Sequence, residues 1–228
     1  MKKEILLIIS FIFICEISTY AQIGEQRNNL SVGFSGGYVS NSVSFQPTIK
    51  QSGMPGITFG VTGRYISEKY FNMICGAQLE LNFVQMGWNE KVPDGSIGTY
   101  KRRMNYIQIP FLAHLAFGKE QKGMQFFVNA GPQIGFLLNE NQTFSKDFDI
   151  SNRIVTMQYG KMAERKFDYG IAAGIGLELK TGIGSFLVEG RYYYGLSDFY
   201  KTTKQDYFSR AANTTMSVKV TYLFDLSK

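Results

Sequence analysis

The chain has 228 residues, a length that suits a single domain built on one closed β-sheet. Aromatic residues make up 15% of it and glycine occurs 24 times, a composition that favours strands and aromatic belts over a helical protein. The formal charge of +6 is spread along the sequence, and together with the export signal described next it argues against a nucleic-acid partner.

The N-terminus has the pattern of a secretory signal peptide. Lys2 and Lys3 are followed by the apolar run Ile5–Ile14, and small residues precede a cleavage position before Gln22. We therefore predict a signal peptide over residues 1–21. The apolar run is too short for a membrane-spanning helix, and no later segment is long and apolar enough to be one. The mature chain is thus expected to be an exported protein without a helical anchor.

Eight segments alternate bulky apolar residues with polar or small ones, as strands with two different faces do. They are Leu30–Val39, Gly56–Ile66, Phe71–Met86, Tyr106–Phe117, Met124–Leu138, Phe167–Lys180, Gly184–Leu196 and Thr215–Asp225. In Phe167–Lys180 one face carries Phe, Tyr, Ile and Leu, whereas the other is mostly Gly and Ala. Small residues suit a crowded barrel interior and bulky apolar ones suit lipid, so a membrane barrel is favoured over a soluble, lipocalin-like one.

The connectors between these segments alternate in length. The long ones cover Ser40–Pro55, Gly87–Tyr100, Asn139–Lys166 and Ser197–Asn213, and the short ones cover Ser67–Tyr70, Gly118–Gly123 and Thr181–Ile183. A membrane barrel with both termini in the periplasm has tight inner turns and extended outer loops. The sequence therefore predicts an all-β fold, a single eight-stranded antiparallel barrel in the cell outer membrane, formed by residues 22–228.

Aromatic residues near the predicted strand ends suggest two girdles at the membrane surfaces. The expected inner members are Tyr65, Tyr70, Phe71 and Phe117, and the expected outer members are Trp88, Tyr100, Phe199 and Tyr200.

Ionisable residues on the inward faces predict a charge network inside the barrel. The residues are Arg64, Glu80, Asp168, Glu178, Glu189, Arg191 and Lys219. Charges removed from water need partners, and both signs are present in similar numbers. An eight-stranded barrel is just wide enough for side chains to fill, so we predict a filled lumen, with a narrow channel as the alternative.

Residues suited to catalysis are sparse. His114 is the only histidine, no Ser or second ligand is recognisable near it, and no paired His/Cys spacing suggests a metal site. We therefore predict no enzyme activity, no cofactor and no metal. A lipid-modifying enzyme remains an alternative, because catalytic residues can come from distant strands.

The basic cluster Lys101, Arg102 and Arg103 lies where the second long loop enters its strand. At the outer rim such a cluster could contact lipopolysaccharide phosphates, since Arg pairs well with phosphate, or it could be a solvated rim that anchors the strand. The expected partners are thus outer-membrane lipid and lipopolysaccharide. The long loops, which a rigid scaffold would position, are further candidates for recognition, as in an envelope protein complex.

Four motifs in order resemble the PorT-like outer-membrane β-barrel family. They are Tyr106-Ile107-Gln108-Ile109-Pro110, Gly131-Pro132 followed by Gly135, Asp168-Tyr169-Gly170 with Gly174-Ile175-Gly176, and Glu189-Gly190-Arg191-Tyr192 with Gly195-Leu196. The resemblance covers most of the mature chain and implies an outer-membrane barrel from bacteria that use type IX secretion. It offers no catalytic or cofactor residues.

The namesake of that family is needed for type IX secretion and gliding, which makes an accessory role in secretion one implied function. Most members have no assigned activity. From the residues themselves, we predict a non-enzymatic barrel with a structural or interaction role in the cell envelope.

Overall fold

The computed structural model describes residues 24–91, 98–151 and 153–226, so the predicted signal peptide lies outside the described residues. Within them the chain forms eight strands. The strands are β1 (Glu25–Gln46), β2 (Gln51–Tyr70), β3 (Met73–Glu90), β4 (Tyr100–Gly118), β5 (Gly123–Phe144), β6 (Phe167–Lys180), β7 (Ser185–Gly195) and β8 (Arg210–Asp225). No helix in this part of the chain is long and apolar enough to cross a membrane.

Each strand pairs antiparallel with the next, and β1 pairs with β8, which closes the sheet into a barrel. The closing ladder runs without a register shift from Ser31 opposite Asp225 to Gln46 opposite Arg210. Closure leaves no exposed strand edge, which is what a β-protein needs in lipid. The predicted eight-stranded antiparallel barrel is therefore confirmed.

The two faces of the barrel wall follow the alternation of the sequence. Along β7, buried and exposed residues alternate from end to end. Ile175, Met216 and Val218 are exposed on the outside, whereas Glu178 and Lys219 on the opposite face are buried. The outer surface of the barrel is thus bulky and apolar, as lipid requires, and the polar groups lie inside.

The first outer connection is shorter than predicted. Most of the expected loop Ser40–Pro55 is strand, because the β1–β2 ladder continues to Asn41 opposite Met54 and the Gln51 side chain hydrogen-bonds to the backbone of Val43. The outer connections cover residues 47–50, 91–99, 145–166 and 196–209, and the inner ones cover 71–72, 119–122 and 181–184. With 22 and 20 residues, β1 and β2 are therefore longer than the roughly 9–11 residues with which a tilted strand crosses a bilayer.

The predicted aromatic girdle is correct at only one level. Tyr65, Phe71 and Phe117 are exposed at the inner end of the barrel and Tyr70 is half-buried. The prediction is wrong at the outer level, where the four aromatic residues are buried inside the barrel: Trp88, Tyr100, Phe199 and Tyr200. Trp88 lies inside because it is in phase with Glu80 and Met86, which face the interior of β3.

Candidate functional site

The middle of the lumen is crossed by a four-residue ion network. Glu80 on β3 accepts two hydrogen bonds from the Arg191 guanidinium on β7, at 2.6 and 2.8 Å, and one from Lys219 Nζ on β8, at 2.6 Å. Arg191 also donates to Glu189, at 2.8 and 2.9 Å. The charges of two acidic and two basic groups therefore cancel within the network, which joins strands on opposite sides of the barrel.

A second ion pair lies closer to the inner end. Arg64 donates to both carboxylate oxygens of Glu178, at 2.6 and 2.8 Å, and both side chains are fully buried. This bidentate geometry is the strongest form of an Arg–carboxylate contact. It connects β2 to β6 across the lumen.

Asp168, the last of the seven predicted lumen residues, is held differently. Its carboxylate accepts hydrogen bonds from Tyr193 Oη at 2.9 Å and Ser197 Oγ at 2.6 Å, and it forms no ion pair with any described residue. All seven residues thus lie buried inside the barrel, six of them in ion pairs.

Little open space is left beside the ion network. The cavity lined by Arg191, Tyr193 and Lys219 has a volume of about 20 Å³. A volume of this size holds about one water molecule. Side chains therefore occupy most of the space beside the ion network.

The outer end of the lumen is filled by aromatic rings, which we call the outer cap. Its members are Phe45, Trp88, Tyr100, Phe199, Tyr200 and Phe208. Trp88 stacks on Phe199 with ring centroids 5.8 Å apart, and Tyr200 stacks on Phe208 at 5.5 Å. The cap combines strand residues with residues of the 196–209 loop, so that loop is folded into the mouth of the barrel.

Arg102 packs against two rings of the outer cap, Trp88 and Tyr200, so the predicted basic rim is wrong for this residue. Its side chain is fully buried, with the guanidinium 5.3 Å from the centre of the Trp88 ring. It forms an ion pair with Glu140 and donates to Tyr200 Oη at 2.9 Å and to the Lys161 carbonyl oxygen. Arg102 is therefore unavailable to lipopolysaccharide, because β4 alternation turns it inward.

Its two neighbours in the cluster, Lys101 and Arg103, are exposed on the outer face of β4. The buried Arg102–Glu140 pair and its links to the loops are what the sequence reasoning missed. A signal was present, because Arg102 is an even number of residues from Tyr106 and His114, which lie on the inward face of β4.

Two glutamates on the barrel wall, Glu140 and Glu90, also hold the 145–166 loop. Glu140 accepts a hydrogen bond from the Ala163 amide at 2.7 Å. Glu90, at the end of β3, accepts from Tyr159 Oη at 2.7 and 2.8 Å and pairs with Arg153 at 3.2 Å. Burial, reinforced by donation to Glu90, raises the pKa of Tyr159, so this phenol stays a donor at neutral pH.

The two longest outer loops also contact each other. The amides of Glu164 and Arg165 both donate to the Phe199 carbonyl oxygen, at 2.9 and 3.0 Å, and the Glu164 carboxylate accepts from the Lys201 amide at 2.8 Å. The loops therefore form one connected outer platform above the cap.

The histidine inside the barrel meets an amide group. His114 is buried and its Nδ1 lies 2.8 Å from Asn129 Oδ1, a neutral partner. No group of three or more His, Cys, Asp or Glu side chains among the described residues could hold a metal ion.

A family model for the outer membrane protein beta-barrel domain matches residues 20–201, which is more than half of the chain. The chain belongs to this family. Membership places the barrel in the outer membrane, and barrels of this kind have their short turns on the periplasmic side. No curated protein sequence matches the chain.

Solved structures of small outer-membrane barrels also resemble it. Ail of Yersinia pestis, solved in complex with the heparin analogue sucrose octasulfate, is 14% identical, with 87% of this chain and 100% of Ail covered at a TM-score of 0.42. Neisserial surface protein A is 12% identical, with 85% and 96% covered at 0.42. OprG of Pseudomonas aeruginosa is 12% identical, with 89% and 95% covered at 0.44. Similarity at this level carries no information on function.

Proposed function

We propose that this outer-membrane barrel is a non-conducting, non-enzymatic scaffold that holds a rigid outer platform for contacts in the cell envelope. The observation that carries the proposal is the closure of the lumen at two separate levels. Salt-bridged side chains fill the middle and stacked aromatic rings fill the outer end. A channel would need an open path at both levels.

The first test is electrical. We expect the purified barrel, reconstituted in a planar bilayer, to show no large, stable open state, because two layers of packed side chains would have to move together. The matched variant is W88A/F199A, which removes the stacked pair from the cap and keeps the ion network. It should also stay closed, because the second layer remains. Stable conductance in the wild-type protein would contradict the scaffold proposal.

The outer platform supports an interaction role because it presents apolar side chains to the outside. Ile154 is 93% exposed, and Ile150 and Met157 are also exposed on the 145–166 loop. Apolar side chains in a loop that is tied to the barrel wall are typical of contact surfaces.

We therefore expect a partner captured from native outer membranes in mild detergent to depend on these residues. I150S/I154S should lose the partner, whereas K146S, an exposed change elsewhere in the same loop, should retain it. Equal capture by both variants would argue against the loop as the contact site.

Lipopolysaccharide is a second proposed contact at the outer rim. With Arg102 buried, Lys101 and Arg103 are the members of the basic cluster that remain able to reach phosphate groups. Their exposed positive charges, two residues apart on β4, are what supports this proposal.

An accessory role in type IX secretion or gliding is the alternative function. It is supported by the four motifs that resemble the PorT-like barrels. A clean deletion strain should then secrete less type IX cargo, and normal secretion would count against this role.

A further inference from the structure

The inner end of the barrel, unlike the outer end, is open. A cavity of about 970 Å³ lies between the turn at residues 119–122, the turn at 181–182, the start of β1 and the end of β8. We call it the inner vestibule. These elements lie at the end that holds the chain termini and the short turns, so the vestibule opens to the periplasm. Arg64, which is paired with Glu178, lines its floor.

The walls of the inner vestibule are predominantly basic. The basic residues that line it are Arg27, Arg64, Lys119, Lys122 and Lys180, and the acidic ones are Glu120 and Asp225. A concave site lined mainly by one sign of charge concentrates ions of the opposite sign. The vestibule therefore attracts anions from the periplasm.

The excess of positive charge is concentrated on three lysines. Arg27 is paired with Glu120, which also lies 3.0 Å from Lys69, and hydrogen bonding from Arg27 lowers the pKa of Glu120 so that it stays ionised. By contrast, no ion pair joins Lys119, Lys122 or Lys180 to any described residue.

The floor of the vestibule also has an unused donor. Arg64 donates its two terminal nitrogens to Glu178, but its buried Nε has no hydrogen-bond partner among the described residues. A buried guanidinium donor is normally satisfied, so Arg64 is an exception among the buried ion pairs of the lumen.

We propose that the inner vestibule binds a periplasmic ligand that carries two or more separated negative charges, either carboxylates or phosphates. Lys119 and Lys122 lie in one turn and Lys180 ends β6, and the cavity has the volume of a site for a sizeable small molecule or several residues of an extended peptide. A single monovalent anion would fill only a small part of this cavity and would neutralise only one of the three lysines.

The test uses the purified mature barrel in a non-ionic detergent with two probes. Fluorescein-labelled tetraglutamate is followed by anisotropy, and tripolyphosphate is added in a separate calorimetric titration. K119Q/K122Q removes two vestibule charges at exposed turn positions, and K50Q/K201Q removes the same charge from exposed positions at the outer end.

We expect the vestibule variant to bind about tenfold more weakly than the wild type, whereas the outer control binds as the wild type does. Binding should weaken further as salt is raised, because exposed charges are screened. Binding of tetraglutamate alone would indicate a ligand with carboxylates, and binding of tripolyphosphate alone would indicate a ligand with phosphates. Binding of both would indicate that the vestibule recognises multiple negative charges of either kind. Equal loss in both double variants, or no binding of either probe, would overturn the proposal. A shift in gel mobility on heating equal to that of the wild type verifies that each variant is folded.

Discussion

Replacement of Glu80 by Gln should destabilise the barrel by about 3–5 kcal/mol, the cost of leaving a buried charge without its partner. Glu80 is the carboxylate shared by Arg191 and Lys219 in the middle of the lumen. In E80Q, Arg191 keeps Glu189, but Lys219 has no other carboxylate within ion-pair distance among the described residues. The measurement is the midpoint of urea unfolding in detergent, read from the fraction of barrel that keeps its folded gel mobility.

The matched control for this prediction restores the charge balance. E80Q/K219M removes one charge of each sign and leaves the Arg191–Glu189 pair in place. Because replacing a buried ion pair by uncharged groups is often close to neutral, the double variant should recover most of the stability lost in E80Q. If the double variant is as unstable as E80Q, the loss comes from packing around Glu80 and not from an unpaired charge.

The barrel architecture was readable from the sequence because a strand has a period of two. Once one residue of a strand is assigned to the inside, every second residue follows, and this placed Glu80, Glu178 and Lys219 inside. The ion-pair partners of these charged residues could not be predicted in the same way. Glu80 meets Arg191 across the lumen, and that contact depends on the curvature and stagger of the whole closed sheet.

The outer aromatic girdle was predicted wrongly because the alternation of residues along a strand does not show where the membrane ends. Trp88 and Tyr100 have the residue type of a girdle, and they were assigned by that type. Their phase along β3 and β4 instead turns them inward above the membrane, where they pack against residues of the 196–209 loop. A strand that extends beyond the lipid still has an inward face, and loop residues pack against that face inside the barrel.

Replacement of Arg102 by Met should open the outer platform while the barrel remains closed as a sheet. Arg102 connects β4 to Glu140 on β5, to the 145–166 loop through Lys161 and to the 196–209 loop through Tyr200. Its loss leaves the nearly buried Glu140 carboxylate without its cation, at a cost of about 3 kcal/mol. The strand ladders do not depend on this side chain, so the folded gel mobility should persist.

Two measurements detect the opening. Trp88 is the only tryptophan and is fully buried, with the Arg102 guanidinium 5.3 Å from its ring centre. Its fluorescence should therefore shift to the red, and the ring should become accessible to iodide. Trypsin sites in the 145–166 loop, such as Arg153 and Lys161, should be cut on the order of 100-fold faster, because cleavage follows the population of the open loop.

R103M is the matched control, since it removes the same side chain one position along β4, where the residue is exposed on the outer face. It should leave both the Trp88 signal and the cleavage rate as in the wild-type protein. If R102M behaves like R103M, the outer cap is held by its aromatic packing alone. In that case the platform would not depend on the buried ion pair, and the proposal that charge pairing fixes the outer loops would be wrong.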